Sequence, residues 1–157
     1  MIRFFALSIA LATALALSAQ SPDAAMAKPN TFAQKLVDQE LAKHSEVVIL
    51  VFHISNSDGS DYPIIASNIG RYGKKADEDD LRVIHTGKTN LEVNPTGNHF
   101  EVEMQLHDAS KKVVGCVGVV FNYKKGDDKE ALHKKAEQLR ADVEMKITSL
   151  AQLVGPA

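Results

Sequence analysis

The stretch His99–His107 alternates without a break, with Phe100, Val102, Met104 and Leu106 apolar and Glu101, Glu103, Gln105 and His107 polar. A period of two belongs to a β-strand whose apolar side faces a core and whose polar side faces solvent, which predicts an antiparallel sheet with one wet face. Residues 108–112 are short and polar and predict a hairpin connection to a second strand over 113–123. Gly115 and Gly118 interrupt that strand and mark a bulge or a close approach to its backbone. Residues 47–54 are β-branched or aromatic on both alternating sides, the pattern of a central buried strand, and His53 is the polar interruption in it.

Helical spacing flanks these strands. Thr31 and Gln34 stand three apart, as in a capping box, and Phe32, Ala33, Leu36, Val37 and Leu41 form one apolar face, so a helix is expected from there to His44 or Ser45. At the other end Leu132, Ala136, Leu139, Val143, Ile147, Leu150 and Val154 recur at steps of three and four. They predict one long amphipathic helix, N-capped by Asp127 and ended by Gly155-Pro156. At roughly 28 residues and ~42 Å it would overhang the sheet, leaving Leu150 and Val154 exposed for a second copy or a partner protein. Between helix and strands lies a turn-rich loop over 55–61, a short apolar run over 62–67, and a polar stretch over 68–80 that reads as loop, with one helical turn leading into 81–84.

The first 27 residues read as an export signal. Arg3 supplies the positive charge, residues 4–17 the apolar stretch, and Ala25-Met26-Ala27 a cleavage site after Ala27. The mature chain, 28–157, is then a single domain, periplasmic or secreted, with no stable membrane insertion. A 45% hydrophobic and 24% charged composition is that of a folded domain. The net charge of −2, with both signs interspersed, leaves no basic stripe for nucleic acid. Cys116, the lone cysteine, has no partner for an intramolecular disulfide and is expected to be an inert buried side chain.

Candidate chemistry is sparse. His53 needs a hydrogen-bonding partner or a cavity to face. Arg71, Lys74 and Lys75, near Gly70 and Gly73, are cationic donors suited to a carboxylate ligand. These four are the candidate ligand-binding residues, in a pocket placed between the sheet and the irregular segment 55–82, with a small organic acid or an amino acid as the expected ligand. No metal site is expected: His99 and His107 would lie ~26 Å apart along a strand, and Asp77–Asp80 lacks the periodicity of a calcium loop. No cofactor is expected either. There is no Gly-x-Ser-x-Gly elbow, and Glu101 and Glu103 point to solvent with no desolvating pocket, so no catalytic residues are assigned and the domain is read as non-enzymatic.

The order of these elements is an α+β layout: an antiparallel sheet of about five strands with an N-terminal and a long C-terminal helix. Residues 100–106, followed by 108–120 across a polar Asp-Ala-Ser-Lys turn, resemble the strand pair of extracytoplasmic Cache domains, in the wider PAS-like, profilin-like group. Thr86-Gly87-Lys88 and the helix leading straight into a strand fit the same plan. The resemblance implies a sensor-type, ligand-binding domain, here in a standalone exported form, paired with a sensor protein or with a second copy.

Overall fold

The computed structural model describes residues 27–157, so the expected export signal lies, except for Ala27, outside the described residues. The elements are α1 (Phe32–Lys43), β1 (Val47–Ile54), β2 (Ile64–Ser67), α2 (Glu78–Thr86), β3 (Asn90–Val93), β4 (His99–His107), β5 (Val113–Asn122), α3 (Lys129–Glu144) and α4 (Leu150–Val154). The strands form one five-stranded antiparallel sheet in the order β2-β1-β5-β4-β3. This is an α+β fold with the five-stranded antiparallel sheet expected from the sequence.

The alternation of β4 sorts the two faces. Phe100, Val102, Met104 and Leu106 are buried beside Leu50, Phe52 and Ile54 of β1 and Val117, Val119 and Phe121 of β5, under Leu36, Val37, Leu139, Val143 and Leu153 of the helices. On the other face α2 covers only one end, where Val83 and Ile84 pack on Cys116. The β4–β5 register shifts between Leu106 and His107. The extra residue inverts the alternation, so Val114 joins the helix-covered core while Val113 and Cys116 lie under α2. Gly115 sits at this bulge, and a Cβ there would stand 1.9 Å from the carbonyl oxygen of His53, the close approach its position in the strand implied.

Four local expectations are corrected. The C-terminal helix is not continuous: α3 ends at Glu144 and the chain turns before α4. Ile147 and Thr148 are β-branched, Ser149 caps α4 by accepting from the Gln152 N–H, and the Gln152 side chain accepts from the Thr148 N–H at 2.7 Å. The Ile147 carbonyl accepts from the Ala109 N–H at 2.8 Å, tying the break to the β4–β5 hairpin. The chain folds back, Gly155 accepts from the Phe32 N–H at 2.9 Å, and Leu150 packs partly buried against the core; only Val154 stays exposed. The N-cap of α3 is Asp128, not Asp127, which instead accepts from the Lys124 N–H. Thr31 does cap α1, but Gln34 is buried and turns to Ser67, donating to its carbonyl and accepting from its N–H. Finally, α2 is a full helix, begun by a reciprocal Asp77–Asp80 capping box and ended by Gly87 at φ 71.

Candidate ligand-binding cavity

Period two along β4 puts Glu101 and Glu103 on the face away from the main core. β3 pairs with β4 so that Glu92 stands opposite Glu101, adding a third carboxylate at the same edge. Toward the centre of the sheet Gly118 of β5 lies opposite Glu103, and Ile49, Val51 and His53 of β1 follow. The segment between β1 and α2 arches back over this face, bringing Ile64, Ile69, Arg71, Lys74 and Asp77, and the first turn of α2 adds Asp80. Sheet and arch enclose a cavity of about 280 Å³. Gly118 makes its floor low: an added Cβ would already be 3.3 Å from Glu101 Oε1.

Charge is distributed unevenly around this space. The wall along β3, β4 and the start of α2 carries Glu92, Glu101, Glu103, Asp77 and Asp80, against Arg71 and Lys74 on the arch. Burial withdraws water from Glu103 and, with the neighbouring charges of Glu101 and Asp80, pushes its carboxyl up to about 8, although Asn90 donates to Oε2 at 3.0 Å. Burial likewise raises Glu101, with Glu92 and Asp80 adding to it. The expectation that both glutamates face open solvent is therefore overturned, because the arch roofs the face they occupy.

His53 is buried and holds two contacts. Its Nδ1 lies 2.9 Å from the Tyr62 carbonyl, which can only accept, so Nδ1 carries a proton. Its Nε2 is 3.5 Å from Asp80 Oδ2 at the end of the cavity. Arg71 and Lys74 line the cavity as well, Arg71 from a left-handed backbone with φ 60. Lys75 does not: it is exposed and paired with Asp61 at 2.7 Å. Three of the four expected residues are thus brought together, and the carboxylates facing them were not foreseen. Cys116 is buried against α2, and burial, with Asp80 and Glu103 nearby, pushes its thiol far above the ordinary range, as an inert side chain requires.

No family model matches the sequence, and no curated protein matches it. Among solved structures the chain is similar to the periplasmic domain of RsbU from Chlamydia trachomatis, at 18% identity and a TM-score of 0.44, covering 61% of this chain and 36% of that one. The chain therefore spans little more than a third of that structure's length. Among the described residues, no helix is long and apolar enough to cross a membrane.

Proposed function

We propose that this chain is an exported, non-enzymatic binding domain of sensor type, whose ligand is a small amine-bearing molecule, amino acids included. The observation that carries this is the cavity between the sheet and the 55–80 arch, with apolar side chains of β1 and β2 on one side and carboxylates of β3 and β4 on the other. At about 280 Å³ it is metabolite-sized, just below the ~300–1,000 Å³ range of larger ligand sites. An ammonium group is matched by Glu92 and Glu101 and would displace the proton that burial leaves on Glu103, and a short carbon chain is matched by Ile49, Val51 and Ile64. Arg71 and Lys74 answer the carboxylate of an amino acid. A purely anionic organic acid, the other ligand expected from the sequence, meets more negative than positive lining and is disfavoured.

A thermal-shift panel separates these classes. Ethanolamine, putrescine, L-alanine and L-lysine are compared with acetate and succinate at one concentration. At least one amine is expected to raise the melting temperature while the acids do not, since a ligand at 100 times its Kd stabilises by ~2.7 kcal/mol. Stabilisation by the acids alone, or by none of the six, would sink the proposal.

A further inference from the structure

A second group of charged side chains lies on the opposite side of the sheet, where the C-terminal end of α1 meets α3. Glu40 and His44 are one helical turn apart, and Asp142 approaches from α3; one donor atom from each lies within 4.8 Å of the other two. Glu40 is fully buried. Its Oε1 accepts from Lys43 at 3.0 Å and from Lys146, and these bonds outweigh the effect of burial and hold the carboxyl below its usual range. Its Oε2 is buried and has no hydrogen-bond partner among the described residues. Leaving a buried carboxylate oxygen unsatisfied is costly, and this one faces the imidazole: His44 Nε2 is 3.7 Å away, too long for a hydrogen bond. The other ring nitrogen, Nδ1, is 3.7 Å from Glu46 Oε1.

We propose that Glu40 Oε2, the His44 imidazole and the Asp142 carboxylate form a site for one divalent transition-metal ion of the zinc class. Two carboxylates and one imidazole are a borderline donor set of charge −2, suited to a four-coordinate ion whose fourth position is water. Metal–ligand bonds of ~2.0–2.2 Å would bring the donor atoms to ~3.3 Å from one another, a contraction within reach of rotamer changes at the half-buried His44 and Asp142. Glu46 Oε1, now 3.7 Å from Nδ1, would close to hydrogen-bond distance as the ring turns onto the ion and so orient the ligating imidazole. Lys43 and Lys146 stay on Oε1, leaving Oε2 for the ion. Gln138 donates to Asp142 Oδ1 at 2.9 Å and steadies the third ligand.

The test is titration of the purified, chelator-treated chain with Zn²⁺ by calorimetry and with Co²⁺ by visible absorption. One equivalent is expected to bind, with the intense visible bands of four-coordinate Co²⁺. His44→Ala and Asp142→Asn should each weaken binding at least tenfold while keeping the wild-type circular dichroism. Glu46→Gln should weaken it ~10-fold through His44 orientation. His53→Ala and His99→Ala, on the cavity face, should leave it unchanged. Because Glu40 is fully buried, Glu40→Ala tests folding as much as binding and is not decisive. Wild-type affinity in both His44→Ala and Asp142→Asn, or the absence of a one-equivalent site, would overturn the proposal, and neither result bears on the amine cavity.

Discussion

His53 holds the arch and lines the cavity with the same ring. Its Nδ1–H donates to the Tyr62 carbonyl inside the arch, which also accepts from the Ala76 N–H at 3.1 Å, and its Nε2 stands beside Asp80, so removing the imidazole takes one of two donors from that carbonyl and leaves a cavity at a buried position. His53→Ala should cost ~1–3 kcal/mol in denaturant melts, with or without ligand. An unchanged midpoint would mean that the Ala76 N–H alone holds the Tyr62 carbonyl. Glu103 gives a residue-level test through pH. With its carboxyl pushed up to about 8 from 4.5, the native chain holds a proton that the unfolded chain has released between those values. Its contribution to stability therefore falls as pH rises through that window and levels off above it. Glu103→Gln mimics the protonated acid, so its melting temperature should match wild type near pH 4 and exceed it near pH 8.5. Parallel pH profiles for the two proteins would contradict the raised carboxyl.

At the scale of elements, β5 makes a sharp distinction between its two glycines. A Cβ at Gly115 would lie 1.9 Å from backbone, the His53 carbonyl oxygen, and nothing flexible can yield there. Gly115→Ala should force β1 and β5 apart and destabilise by about 3 kcal/mol or more in the same melts; a near-neutral effect would mean that the bulge is misplaced. Elements were legible in the sequence where one period persisted. The period-two run of β4 and the apolar run of β1 located the sheet centre, and Thr31 located the start of α1. The period of three and four steps hid the break before α4, because α3 and α4 bury their apolar faces against the same core; the local signal was Thr148-Ser149 with Gln152 beyond it. The local signal for α2 was the capping pair Asp77 and Asp80, inside a stretch expected to be loop, whereas β3 has only four residues and no cap or turn signature to set it off.

For the whole molecule, periodicity shows which side chains share a face but not what lies over that face. Glu101 and Glu103 were legible as a pair on one side of β4, and the segment 55–82 as something that had to cover the sheet. That the second would enclose the first depends on contacts between segments far apart in sequence, and so does the proposal of an amine-bearing ligand in place of an organic acid. Glu40 and His44 stand four apart at the end of α1, but nothing in the sequence set them off as a site, because Asp142 joins them only through the packing of α3 on α1. The fold-back of α4 also removes the overhang that would have carried self-association, leaving the cavity as the feature on which the proposed function rests. Gly118→Val provides the control for it: the position has no left-handed backbone, the nearest atom to an added Cβ is the end of the Glu101 side chain, and the new methyls would fill the cavity floor. The most direct measurement is calorimetric titration of wild type and Gly118→Val with whichever amine of the panel stabilises most, each variant first shown to melt cooperatively. The account predicts one site in wild type and none in Gly118→Val; equal binding by both would contradict it.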